Sequence, residues 1–360
     1  MKVATVLGTR PEIIRLSLII PRLDSLCDHL VVHTGQNYDP ALSERFFAEL
    51  GLRAPDRDLG VRAEGFGAQI GAIMAGIEPI FRAERPDRLL VLGDTNSGLA
   101  ALVAKRLGIR VFHLEAGNRC YDDRVPEEVN RRAIDHASDV LLPYSERSRM
   151  NLLREGIEGR RIFVVGNPIY EVIRHHEERI EASRALAELE LAPGGFFLVT
   201  LHREESVDVE PRLRSLVAGL RRLHREHGLP VVCSVHPRTR DRLARFGVEL
   251  DGGGVRGLPP FGFCDFLALA RNARCVVTDS GTVQEECALS GVPSVIARDV
   301  TERPETLERG ANVLAGADPE QLALAVRVAL AGGAHPPPPE YLVPDVSDVV
   351  VKLVLGYVHA

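Results

Sequence analysis

Short apolar runs without polar alternation recur along the chain: VATVL, HLVVHT, RLLVL, VFHL, DVLL and IFVV in the first half, FFLVT, PVVCSV, RCVVT and PSVIA in the second. Such runs fit strands buried on both faces, and the intervening segments of roughly 12 to 20 residues with helical spacing fit crossover helices. The pattern predicts βα units in two successive series, an α/β protein with two parallel sheets. GNPIYEVIRH closes the first series, and the charged helical stretch HHEERIEASRALAEL leads to Pro193, Gly194 and Gly195 before the second. The boundary is expected near residues 167–192, which gives a first domain over 1–170, a second over 171–343 and a C-terminal helix over 344–360 that returns to the first. PPPP at 336–339 reads as a stiff spacer.

Length supports the division, because 360 residues exceed what one core usually holds. Apolar residues make up 45% and aromatics 5% with no Trp, which suits α/β layers of aliphatic side chains. A formal net charge of -6 argues against bulk nucleic-acid binding, although locally converging arginines could still take an anionic small ligand. The six cysteines lack CxxC or CxxH spacing, so neither a disulfide framework nor a zinc site is expected, and a reducing cytoplasm is the expected location. MKVATVLGTRPE breaks its apolar run at Gly8 and Arg10, too early for a signal segment, and no run approaches membrane length.

In open parallel sheets ligands sit beyond the carboxyl ends of the strands, so the loops GTRPE, TGQNYD, GDTN, EAGN, HREE, HPRT and DSGT are where chemistry is expected. In GTRPE, Gly8 permits a tight turn, Pro11 suits a first helical turn and Arg10 stands at the helix start, an arrangement suited to phosphate. TDSGTVQEE follows a buried run and opens a helix: Ser280, Gly281 and Thr282 would offer N–H groups and hydroxyls to a pyrophosphate, and Glu285 or Glu286 could accept from a ribose. A simple capped helix, with Ser280 as N-cap, would account for the acids as well. Asp94 and His202 each follow a strand, as helix cap or site residue in one case and structural or phosphate-contacting residue in the other. The segment HLEAGNRCYDDRVPEEVNRR is the most telling. A surface pair of Glu127 with Arg131, four apart on a helix beginning at Pro126, would be unremarkable, but a carboxylate such as Glu115 directly after a buried strand is costly unless paired, hydrogen-bonded or used.

Taken together, GTRPE, TGQ, GDT, HLEAG, PEEVNR, HREE, HPR, TDSGTVQEE and ERPE resemble the non-hydrolysing UDP-N-acetylglucosamine 2-epimerase family in order and spacing over almost the whole chain. The resemblance implies the glycosyltransferase B architecture, two Rossmann-like domains facing a cleft, in a homodimer without cofactor or metal. It implies inversion at C2 of UDP-GlcNAc and UDP-ManNAc through elimination of UDP to a 2-acetamidoglucal and re-addition, supplying surface-polysaccharide precursors. The C2 hydrogen lacks an adjacent carbonyl; cleavage of C1–O makes it acidic, and proton delivery to two faces calls for more than one carboxylate. By motif match, Asp94, Glu115 and Glu127 are the acid/base and oxocarbenium-stabilising carboxylates, with Arg131 and His202 as further catalytic groups. Arg10, Arg15, His202, His236, Arg238, Ser280, Gly281, Thr282, Glu286 and Arg303 are the implied contacts to UDP or sugar.

Three departures stand out: Arg15 where many members carry lysine, Ser280-Gly281-Thr282 for SGG, and Gly117-Asn118-Arg119 for GLR. TRPEIIRLS, TGQNYD and the EAGNRC to RVPEE stretch instead resemble the branch that forms UDP-N-acetyl-L-fucosamine, so a 6-deoxy-L-sugar is the alternative substrate. TGQNYD also departs from the stretch that binds a second, activating UDP-GlcNAc in several members, which argues against activation by substrate. A glycosyltransferase of the same architecture is the rival enzyme class.

Overall fold

The computed structural model describes residues 1–36, 46–63, 65–333 and 335–358; Asn37, Tyr38 and Asp39 of TGQNYD lie outside them. The chain divides into two compact units, one formed by Met1–His175 with Pro339–Ala360 and the other by His176–Pro338.

In the first unit six strands, β1 Lys2–Leu7, β2 Asp28–His33, β3 Arg57–Asp58, β4 Arg88–Leu92, β5 Arg110–Leu114 and β6 Val140–Leu142, form a parallel sheet in the order β3-β2-β1-β4-β5-β6. In the second, β7 Phe197–Leu201, β8 Val231–Val235, β9 Val255–Leu258, β10 Cys275–Thr278, β11 Ser294–Ile296 and β12 Asn312–Leu314 take the order β12-β11-β10-β7-β8-β9. Read from its first strand outward, each is the doubly wound dinucleotide-fold order, with the direction of winding reversing between β1 and β4 and between β7 and β10. The expectation of an α/β fold with two Rossmann-like sheets is met.

Unbroken apolar strands make sense here because helices cover both faces. In the second unit Phe197, Val199, Val231, Cys233, Cys275 and Val277 pack on one side with Leu213, Leu216, Leu220 and Leu322, while Leu198, Val232 and Val276 pack on the other with Leu269 and Cys287. Each such buried side chain contributes about 1.5–3 kcal/mol.

IFVV does not become a strand. Phe163 and Val165 donate backbone N–H bonds to Leu141 and Pro143 beside β6, but the pairing stops at a single bridge, Leu141 to Ile162. Three strands escape the apolar pattern: β3 is a dipeptide of charged residues, β9 is VRGL and β12 is NVL, all short and all at or next to a sheet edge. The helix Val346–Gly356 belongs to the first unit, where Val346, Val350 and Val354 are fully buried. No helix among the described residues is long and apolar enough to cross a membrane.

Candidate active site

In the first unit, the turns flanking the reversal point are knitted by buried polar groups. Gly8 directly follows β1, and a methyl group in its place would lie 2.1 Å from Thr34 Oγ1 and 2.3 Å from Ser97 Oγ, so only glycine lets the three turns close. Glu12, one turn into the helix Arg10–Leu16, accepts the N–H groups of Gly8 and Thr9 and the Thr9 hydroxyl on Oε2, at 2.8–3.0 Å, and the Thr95 hydroxyl on Oε1 at 2.9 Å. Burial pushes its carboxyl up to about 7 despite these donors. The bond to Thr95 couples the GTRPE turn to the turn that presents Asp94.

Glu115 follows β5 in the left-handed region, φ 71°. For a side chain with a Cβ this is a strained conformation of the kind that collects at functional sites. Its carboxylate pairs with Arg15, Nη1 to Oε2 3.0 Å, and accepts from Asn118 Nδ2 at 3.3 Å. The Arg15 guanidinium also lies 5.8 Å from the centre of the Tyr144 ring. Arg131, buried on the helix Pro126–Ala137, donates from Nε and Nη2 to Asp94 Oδ2 at 3.0 and 2.6 Å and from Nη1 to Glu128 Oε2 at 2.6 Å. Glu127 stands half-buried in the first turn of the same helix. Arg10, at the start of its own helix, lies with its guanidinium 5.5 Å from the Phe46 ring centre. Asp94, Glu115, Arg15 and Arg131 are thus joined in two ion pairs at neighbouring strand ends.

The second unit repeats the plan with different chemistry. Asp279, after β10 and wholly buried, accepts the backbone N–H groups of His202 and Arg203 after β7 at 2.9–3.0 Å, and its Oδ1 lies 3.3 Å from His202 Nδ1. Burial raises its carboxyl above the usual value. The His202 and His236 rings have centres 5.5 Å apart. His236 caps the helix Pro237–Arg245, its Nδ1 accepting the Arg238 N–H at 3.2 Å, so Nε2 carries the ring proton. Arg238 spreads its fork on Asp208 at 2.8–2.9 Å and also pairs with Glu204. Ser280 heads the helix Gly281–Ser290, but its hydroxyl meets Thr282 Oγ1 at 2.9 Å and does not serve as a side-chain cap. Gly281 admits the Glu302 carboxylate, which would lie 2.6 Å from a methyl group there. Glu285 is fully buried against Arg303, and Glu286 is buried one position on. The unit therefore offers a helix N-terminus, two imidazoles and several arginines around one strand reversal, a setting suited to a diphosphate.

The sequence matches the family model for UDP-N-acetylglucosamine 2-epimerase over residues 22–353. The chain belongs to the UDP-N-acetylglucosamine 2-epimerase family. It is an epimerase, an enzyme of the isomerase class. A UDP-N-acetylglucosamine 2-epimerase of Methanocaldococcus jannaschii is 42% identical over 338 residues, 92% of each chain. A Pseudomonas aeruginosa UDP-2,3-diacetamido-2,3-dideoxy-D-glucuronate 2-epimerase is 37% identical over 335 residues, again 92% of each. Among solved structures, the M. jannaschii UDP-GlcNAc 2-epimerase in complex with UDP-GlcNAc and UDP superposes with a TM-score of 0.91 at 39% identity, covering 98% of this chain and all of that one.

Two buried acids of this epimerase carry no strand-end signature, Glu12 and Glu128, whereas Asp279 directly follows β10 as the first residue of DSGT. Glu128 accepts the backbone N–H groups of Cys120 and Tyr121 at 3.0 and 3.1 Å and pairs with Arg131 and Arg132, anchoring the loop before its own helix. Burial would push its carboxyl up, but those donors and Arg131 outweigh it and hold the group below its usual value. Only the spacing Glu128 to Arg131, three apart and beside the more obvious Glu127, hints at it in the sequence.

Proposed function

We propose that this epimerase inverts C2 of a UDP-2-acetamido-2-deoxy sugar, of the UDP-GlcNAc and UDP-ManNAc type, by eliminating UDP and adding it back to the opposite face. The observation that carries the reading is the buried Arg15–Glu115 pair next to Asp94 and Arg131, a set of carboxylates held by cations where a strand ends. Breaking C1–O leaves electron deficiency at C1, and a carboxylate takes the C2 proton as the C1–C2 double bond forms; UDP leaves with the electron pair of the broken bond. The reverse step delivers a proton to the other face of C2 while UDP returns to C1. Asp94, Glu115 and Glu127 supply the proton transfers and the counter-charge for the oxocarbenium-like stage, with Arg131 orienting Asp94. The second unit retains UDP through His202, His236, Arg238, Ser280, Gly281, Thr282, Glu286 and Arg303; in the first unit, Arg10 and Arg15 are the proposed contacts to UDP or sugar. Retention matters, since an escaped nucleotide leaves the glycal stranded.

The test is solvent exchange. Incubation with UDP-GlcNAc in D2O without any acceptor is expected to place deuterium at C2, read by NMR; transfer that requires an acceptor, with no exchange, would instead identify a glycosyltransferase. The sugar itself is decided by a panel. UDP-GlcNAc is the first expectation from the relative of 42% identity. The P. aeruginosa relative adds the diacetamido glucuronate. The TRPEIIRLS and EAGNRC segments add the 6-deoxy-L-sugar that leads to UDP-N-acetyl-L-fucosamine.

A further inference from the structure

His113 lies on β5 two residues before Glu115, completely buried, with both ring nitrogens engaged: Nε2 is 2.7 Å from the Gly93 carbonyl oxygen and Nδ1 is 2.8 Å from Asp135 Oδ1. A carbonyl oxygen only accepts, and so does an ionised carboxylate. Asp135 is ionised because Arg119 Nη1 stands 2.8 Å from its Oδ2 and the Gly117 N–H donates to both its oxygens, and its carboxyl lies below the usual value despite burial. Each nitrogen of His113 must therefore donate, which only the doubly protonated ring can do.

Asp135 is also where the loop bearing Glu115 is gathered. Its Oδ2 meets Arg119 Nη1 at 2.8 Å, and both its oxygens share the Gly117 N–H at 3.2 and 3.3 Å. Arg119 in turn donates to the Asn118 carbonyl at 2.7 Å and closes its fork on Glu155. Gly93 immediately precedes Asp94, so the His113 ring ties the turn of one carboxylate to the turn of the other. Glu115 keeps its positive φ with its N–H on the Leu142 carbonyl and this buried hub gathering its loop.

We propose that His113, as a buried imidazolium, and Asp135 are positioning residues for the C2 proton transfers, setting the separation of the Asp94 and Glu115 turns without touching substrate. The proposal rests on the epimerase reading above. In the full-length protein labelled with 15N at the histidine rings, the His113 signal, assigned by its loss in His113→Gln, is expected to show both nitrogens protonated. A single-proton ring there overturns the assignment. Asp135→Asn keeps the shape and removes the charge; kcat is expected to fall about 100-fold while KM and UDP affinity stay within about threefold, the signature of misplaced reacting groups. Unchanged kcat, or parallel loss of kcat and UDP binding, overturns the positioning role. Absence of C2 exchange in the wild-type protein would remove the epimerase reading and with it that role, whereas the ring spectrum decides the imidazolium on its own.

Discussion

Arg15 Nη1 lies 3.0 Å from Glu115 Oε2, with the two side chains 3% and 5% exposed. Charges this deeply buried are tolerable only as a pair, and removing one partner typically costs 3–5 kcal/mol because the other is stranded. The pair also explains how a carboxylate can directly follow an apolar strand, and with Asn118 on Oε1 it holds Glu115 at both oxygens beside the Asp94 turn.

Arg15→Ala is therefore expected to lower stability by about 3–5 kcal/mol and to abolish C2 exchange, while Arg15→Lys, which keeps the charge but loses the fork, retains part of both. Glu115→Gln is expected to reduce exchange by about 10²–10⁴-fold with UDP affinity unchanged. Calorimetry with UDP beside the deuterium assay checks the pair; a Glu115→Gln enzyme that still exchanges would remove Glu115 from the chemistry.

Glu12 predicts a pH dependence of stability. Its carboxyl stands at about 7 in the fold against 4.5 as the ordinary value. Between those values the folded state binds more protons than the unfolded chain, so stability is full below 4.5 and falls as pH rises through 7, by about 3 kcal/mol in all. Protonated on Oε1, the acid can donate to Thr95 while Oε2 keeps its three donors; Glu12→Gln mimics that state permanently. Thermal unfolding across this window is expected to show the wild-type Tm declining and the Glu12→Gln Tm flat by comparison. Parallel slopes would mean that another group governs the trend.

Much of this architecture can be read from the chain, because strands covered on both faces must be apolar without alternation, and β1, β4, β7 and β10 are all of that kind. The edge strands cannot, since Arg57–Asp58 is recruited by pairing with Val32 and His33 and has no apolar signal of its own. IFVV fails in the opposite sense: its residues are strand-like, but only one bridge to β6 forms. For the candidate site the turns stand out as Gly and charge after an apolar run, whereas the bonds that brace one turn on another do not. Asp279 meets His202 across 77 positions and Glu12 meets Thr95 across 83, and no local spacing encodes a bond between donors and acceptors so far apart.

Asp279 accepts three bonds from two consecutive backbone N–H groups, so an amide in its place would turn an NH2 toward donors. Asp279→Asn is expected to weaken UDP binding about tenfold by releasing the His202–Arg203 turn, with a loss of about 1–3 kcal/mol in stability. Titration of UDP into the variant checks this. Glu115→Gln, in the other unit, is the control that should leave the same titration unchanged.

Gly281 is the strictest steric position in the second unit's site. An added methyl group would sit 2.6 Å from Glu302 Oε1 and 3.8 Å from Arg203 Nη2. Glu302 cannot simply swing aside, because Oε2 is held by Arg298 Nη1 at 2.6 Å and Oε1 lies 3.3 Å from Arg203 Nη2. Gly281→Ala must then either break those pairs or shift the helix start, a change that costs about 1–3 kcal/mol in a packed interior. If the diphosphate rests on the first N–H groups of Gly281–Ser290, either adjustment disturbs its seat, and UDP affinity is expected to fall at least about tenfold. Thermal melts with and without UDP separate the two effects: the apo Tm should drop modestly and the UDP-induced rise should shrink. A variant with a lowered apo Tm but the full UDP-induced rise would place the phosphates away from this helix and return the role to the arginines.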